Sequence, residues 1–326
     1  MDEEMDWGYA SGAVAVLETF LVAPGALAEL AGTADSVDAI LSRALRSPVY
    51  EGIQGSEIKD PNSAADAVEA AVVGYIRAFV SCCPSPAVAE PFLLEHDMRD
   101  LANRLKAEHS GVERNRVELA RVPEDGIEDW LADRPRLKAV ARELDEAGEQ
   151  EPPDRIDRLL DGAFIAMLPE LTEPLGSALI DRWARQNQEH RALLAVLRAR
   201  RAGVEPDEIR LALLRDVPNG DELAGLAEAD DSELGRMLAG HVPPDAIEEF
   251  DPQAGGTAIQ ALEDRLDAEL AATLEPARYV PFGPERVLSY MWRLFQEDRN
   301  LRAVLGGLAG EIGPDLTRAA LRGVHG

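Results

Sequence analysis

The side chains able to do chemistry in this 326-residue chain are five histidines, two cysteines and sixty-one acids. The histidines are His96, His109, His190, His241 and His325. A helical zinc or di-iron site needs His-x-x-x-His or Glu-x-x-His, spacings that put two ligands on one helix face. Neither occurs. His96 and His190 adjoin acids, but neighbours on a helix point about 100° apart and cannot share one ligand direction. Cys82 and Cys83 are adjacent, too few for a four-ligand zinc site, and such neighbours rarely bond to each other. No charge pattern around them would depress a thiol pKa, so reduced, structural cysteines are expected. Phosphate-cradling glycine loops and the Gly-x-Ser-x-Gly nucleophile elbow are absent from the sequence. With acids this numerous, no single carboxylate pair singles itself out as a dyad. The expectation is no catalytic site, no cofactor and no metal.

Charge narrows the partners. Sixty-one acids against thirty-three bases give a net charge of −28, a surface that repels phosphate backbones and anionic headgroups. Nucleic acid is therefore not an expected partner. The N-terminus, Met1 to Asp6, is acidic where a targeting peptide would be basic. The most apolar stretch, Gly12 to Leu30, is cut by Glu18, Pro24 and Glu29, short of the ~18 uninterrupted apolar residues of a membrane span. A soluble chain without direct membrane insertion is expected.

The elements that must position these groups read as helices. Ala, Leu, Glu and Arg dominate, all strong helix formers. Val37, Ile40, Leu41 and Leu45 form one face of a helix over 36–46, capped by Asp35 or Ser36. Asn62-Ser63 should cap a helix through Ala67, Val72, Tyr75 and Phe79, ended by Pro84 and Pro86. Another should run from about Ala87 to Glu108 and close at Gly111. The clearest linker is 146–154; Pro218 to Asp221 reads as a turn and Asp251 to Thr257 as a loop. The fold class is all-α.

Three long helices share a layout of apolar stripe, polar cluster, second apolar run and glycine. They centre on Asp97, Glu189 and Glu297 and close at Gly111, Gly203 and Gly310, at distances of 14, 14 and 13 positions. Within them Asp97 falls between Leu94 and Leu101, and Asp298 falls on the stripe of Met291, Phe295, Leu301 and Leu305. A carboxylate there is costly unless paired, with Arg99, Arg191, Arg299 and Arg302 as candidate partners. Such groups either fix helix register as buried ion pairs or line a cavity facing a partner protein. The tryptophans, including Trp183 and Trp292 at comparable places in their repeats, read as packing residues. The chain reads as one all-α subunit, 1–326, with approximate repeats 1–145, 146–250 and 251–326 that exchange helices across their boundaries.

The run Pro281 to Tyr290, followed by Glu297-Asp298-Arg299-Asn300-Leu301-Arg302 and a glycine-terminated helix, resembles the C-terminal signature of one rotary-ATPase family. That family is the C subunit of archaeal and bacterial A/V-type ATPases and its eukaryotic counterpart, subunit d. Leu41 to Tyr50 resembles the family's first-repeat segment, and Leu94 to Gly111 its Asp-x-x-Asn-Leu helix, with Asp100 where asparagine is usual. Departures are Ala13 and Ala15 at two positions where the family is basic, and Ala192-Leu193-Leu194 where it has Asn-Leu-Arg. The resemblance implies three related helical units in a pseudo-threefold funnel. It also implies a non-catalytic rotor subunit that links the central-shaft subunits of the soluble head to the membrane proteolipid (c-type) ring and transmits torque. Its place would be the cytoplasmic face of the membrane, peripheral through the complex, with proton or sodium as the coupled ion. The residues matching the motifs, as packing or partner contacts, are Asp97, Asp100, Glu189, Tyr290, Glu297, Asp298, Asn300 and Arg302. The alternative is a free-standing helical scaffold or regulatory adaptor bound to no rotary ATPase.

Overall fold

A computed structural model describes residues 7–44, 46–53, 58–148, 151–248, 250–251 and 254–323, with only the backbone at 245 and 248. Met1 to Asp6, Leu45, the middle of the expected linker at 149–150, positions 252–253 of the expected loop, and His325 lie outside these residues. Among the described residues every regular element is helical and none is a strand. The first half contains α1 (Gly8–Leu17), α2 (Pro24–Thr33), α3 (Val37–Ala44), α4 (Pro61–Val80), α5 (Glu90–Ser110), α6 (Ile127–Ala132), α7 (Pro135–Ala147) and α8 (Pro153–Thr172). Then follow α9 (Ala178–Arg201), α10 (Pro206–Leu213), α11 (Gly220–Glu228), α12 (Asp231–Leu238), α13 (Pro244–Glu248), α14 (Gly256–Leu274), α15 (Pro284–Ala309) and α16 (Pro314–Ala319).

Proline sets many of the starts, because a helix loses nothing when its first residue lacks an N–H. This corrects one expected cap. With Pro61 in the first turn of α4, the cap is Asp60, whose carboxylate accepts from Ser63 N–H at 2.8 Å, and not Asn62-Ser63. The ends correct another expectation. Gly111 and Gly203 follow α5 and α9 with φ of +66° and +75°, the left-handed position that glycine occupies without a steric cost. After α15 Gly310 has φ −85°, and the left-handed residue is Glu311 at φ +50°. Val204 N–H bonds Ala199 C=O, and Ile312 N–H bonds Gly307 C=O, the same six-to-one closure. The third helix thus keeps the 14-position register of the others, and holds a glutamate where left-handed geometry costs roughly 1 kcal/mol.

The chain divides into two compact units, each assembled from separated segments. Unit 1 comprises 1–89, 175–183 and 264–326; unit 2 comprises 90–174 and 184–263. In unit 1, α15 is the central element and packs on α4 most extensively, then on α2 and α1. It can do so because it is apolar on several sides: Val287, Leu288, Met291, Leu294, Leu301 and Leu305 are all fully buried. Trp292 meets Trp183 edge-on at 5.7 Å between ring centroids, the packing role expected for both. In unit 2, α5, α7 and α8 share a core that includes Leu94, Leu101, Leu137, Leu144, Ile156 and Leu160. There α8 lies so close to α10 that a Cβ on Gly162 would sit 2.1 Å from Ala212 C=O.

The N-terminal stretch is interrupted where Pro24 was expected to cut it. Gly8–Thr33 has the length and composition of a membrane crossing, and only 22% of its most apolar window is buried. It is not one helix: α1 and α2 are separated by a 3₁₀ turn and a non-helical stretch around Val22, where Pro24 starts α2. Ala10, Val14 and Leu17 of α1 face the core, while Tyr9 (72% exposed), Gly12 and Val16 (60% exposed) face outward. Phe282, itself exposed, lies against Gly8.

Candidate functional site

Three of the polar residues singled out on α15 are buried inside unit 1. Glu297, Asp298 and Asn300 are 3%, 3% and 2% exposed. Glu297 and Asn300 stand three positions apart, on one helix face. Glu297 Oε1 accepts from Tyr50 O–H at 2.7 Å, and its Oε2 accepts from Val22 N–H. Val22 sits in the break between α1 and α2, where no helical carbonyl can serve its N–H. Asn300 grips the C-terminal segment with both ends of its amide. Its Oδ1 accepts from Arg322 N–H at 2.7 Å and its Nδ2 donates to Arg322 C=O at 3.0 Å. Asp298 accepts from Arg302 at 3.3 Å, and Arg302 also donates to Glu69 at 2.8 Å.

Burial shapes the protonation of this group. It pushes the Glu297 carboxyl up to about 7, with Asp298 adding to the rise, against the donors Tyr50 and Val22. It pushes Asp298 up to about 6, opposed by the Arg302 guanidinium. Tyr50, buried against Glu297, is raised well above the usual phenol range. Both Glu297 oxygens accept from donors on distant segments, away from water, an arrangement suited to fastening those segments.

The same arrangement stands on α5 in unit 2. Asp97 and Asp100 are buried, three positions apart, and each takes a backbone N–H from the non-helical stretch after α5. Asp97 Oδ1 accepts from Arg121 N–H at 2.6 Å, and its Oδ2 takes the Arg121 guanidinium at 2.6 and 2.9 Å. That guanidinium also forks onto Glu90, at 2.6 and 3.0 Å. Asp100 accepts from Val117 N–H at 2.8 Å and from Arg114 at 3.3 Å. Asparagine at 300 satisfies a backbone N–H and C=O together. Aspartate at 100 can only accept, and an arginine takes its second oxygen.

Two long helices therefore clasp passing chain segments with polar pairs placed 14 and 11 positions before a left-handed closing residue. This is the region of the sequence signature, and a model of the ATP synthase (C/AC39) subunit family matches residues 11–320. The chain belongs to that family. The family is that of a subunit of A/V-type ATP synthases. No individual curated protein matches the chain.

The other motif residues of this C/AC39 subunit do not join either clasp. Glu189 is partly exposed and meets His241 Nδ1 at 3.1 Å. The equivalent of Asn300 on α9 is Ala192, which is fully buried and has no polar side chain. Tyr290 is a core residue, edge-on to Phe79 at 6.4 Å. Of the candidate arginines, Arg302 pairs with its expected acid, whereas Arg99 meets His96 and Arg191 meets Glu95. The partner of Asp97 is Arg121, which sequence reasoning missed, as it missed Val22 and Arg322. All three lie in non-helical segments without periodicity. Among the described residues no three His, Cys, Asp or Glu side chains gather as a metal ion would require.

Proposed function

We propose that this chain is the non-catalytic rotor subunit that joins the central shaft of the ATPase head to the proteolipid ring and transmits torque between them. The observation that carries the proposal is the family match across 11–320. Its titratable side chains support it: Asp97 and Asp100 of α5 and Glu297 of α15 each accept from a backbone N–H of a distant segment, as in a body that must hold its shape under load. Three related helical repeats fit the register shared by α5, α9 and α15. The outward face of α1, with Tyr9, Val16 and neighbouring Phe282, suits docking to an apolar partner surface. The place of action is the cytoplasmic face of the membrane, reached through the complex.

The test is affinity purification of the tagged full chain from gently solubilised membranes of its native host, with quantitative mass spectrometry. Stoichiometric recovery of ring and central-shaft subunits is the expected result. A chain recovered alone, or with unrelated partners, would overturn the rotor assignment in favour of a free-standing scaffold.

A further inference from the structure

A helix that is apolar on several sides is ordinarily a buried one, as α15 is. Gly8–Thr33 departs from that rule: it has the composition of a membrane segment, yet its most apolar window is only 22% buried. It belongs to the fold all the same, since Ala10 and Val14 of α1 and Leu27 of α2 are fully buried. What it leaves outside carries no net charge. Residues 7–33 hold no Lys, Arg or His, and their acids are Glu18 and Glu29. Glu18 is held by Arg286 at 3.4 Å and by Arg293, and Glu29 lies 3.9 Å from Arg43. On a chain of net charge −28, this is a neutral surface.

Tyr9, Gly12 and Val16 stand at i, i+3 and i+7 on α1, one exposed stripe. Phe20 in the following 3₁₀ turn is exposed as well, and exposed Phe282 lies against Gly8. Of the exposed hydroxyls here, that of Thr19 is spent on Val16 C=O at 2.6 Å, so Tyr9 alone brings a free one. A specific protein interface carries about one hydrogen bond per 100–200 Å² and a polar rim, and this face has almost nothing to offer one. Aromatic rings on an uncharged apolar helix face suit the boundary between headgroups and acyl chains, which asks for no directional partner. The 10 residues of α1 are about 15 Å long, half the ~30 Å hydrocarbon core of a bilayer. The break at Val22 keeps α1 and α2 from joining into one span, so the segment can lie on a bilayer but not cross it.

We propose that the outward face of α1, with Phe20 and Phe282, rests on the surface of a lipid bilayer whose headgroups carry no net charge, such as phosphatidylcholine. Charge sets the choice of lipid. With no base in the face and a net charge of −28 behind it, an anionic leaflet repels the chain. The contact goes beyond the rotor assignment and does not depend on it, because it rests on this face alone.

The probe is a phosphatidylcholine vesicle, mixed with the full chain and floated on a density gradient. Half of the chain should float at roughly 0.1–1 mM accessible lipid, the range of a single acyl anchor. Val16→Glu and Phe282→Ser change exposed side chains, so both should fold as the parent does and weaken flotation at least about tenfold. Leu211→Glu, at an exposed leucine of unit 2, should leave flotation unchanged. Mixing phosphatidylglycerol into the vesicles should weaken it. The proposal is overturned by no flotation up to about 5 mM lipid, by full flotation of either face variant, by an equal loss in Leu211→Glu, or by tighter binding to the anionic vesicles. A chain that binds purified proteolipid rings in detergent through Val16 but ignores lipid vesicles would also overturn it, while upholding the rotor assignment.

Discussion

Glu297→Gln offers a direct measure of what burial does to the α15 clasp. The amide keeps the shape: its oxygen can accept from Val22 N–H, and its NH₂ can donate to the Tyr50 hydroxyl, which can also accept. What it removes is the titration. The carboxyl ionises near 4.5 in the unfolded chain and near 7 in the fold. Between those values the folded chain holds a proton that the unfolded chain has released, so stability falls as pH rises through the window and levels off above it. At about 1.36 kcal/mol per pKa unit, the total is ~3 kcal/mol, most of it lost between about pH 5 and 7. The assay is urea unfolding of the wild type and Glu297→Gln at a series of pH values. Asp298 and Asp161, each raised to about 6 by burial, titrate in both proteins and largely cancel in the comparison. The expected result is a wild-type stability that declines relative to the variant by ~3 kcal/mol from acid to mildly alkaline pH. A difference independent of pH, or one that favours the wild type as pH rises, would refute the reasoning. The second outcome would mean that Val22 and Tyr50 outweigh desolvation and hold the group as a carboxylate.

Two further outcomes test the packing of unit 2. Asp97→Asn keeps an acceptor for Arg121 N–H but leaves its guanidinium only Glu90; a loss of about 2–4 kcal/mol in urea unfolding is expected, with faster amide exchange at Arg121. Gly162→Ala would place a methyl 2.1 Å from Ala212 C=O; separation of α8 from α10 should cost ~2–3 kcal/mol and make the α10 region more sensitive to protease.

The clasps show why the sequence was informative in one respect and mute in another. An acid on an apolar helical stripe announces that it is buried and needs partners, and Asp97 and Asp298 were legible for that reason. The partner is another matter. Arg99 and Arg191 are close in sequence or in repeat position, yet Asp97 is met by Arg121, twenty-four residues away in an irregular stretch. Nothing in local periodicity points to a backbone N–H such as that of Val22, 275 residues from Glu297. The third helix was legible in register but not in its closure, because Glu311 adopts a conformation usually left to glycine.

By itself the sequence determined that this chain is all-helical, that its long helices carry one repeated layout, and to which family it belongs. Those properties rest on helix propensity, on the 3.6-residue period and on motif spacing, all readable along the chain. Only the tertiary structure decided that the chain folds as two units, each built from segments far apart in sequence. It alone showed that the N-terminal apolar stretch breaks at Val22, and that the signature acids serve as fasteners for the segments between helices. Pairing of that kind depends on which irregular strands of backbone pass within hydrogen-bond reach of a buried carboxyl, and only the folded chain sets those distances.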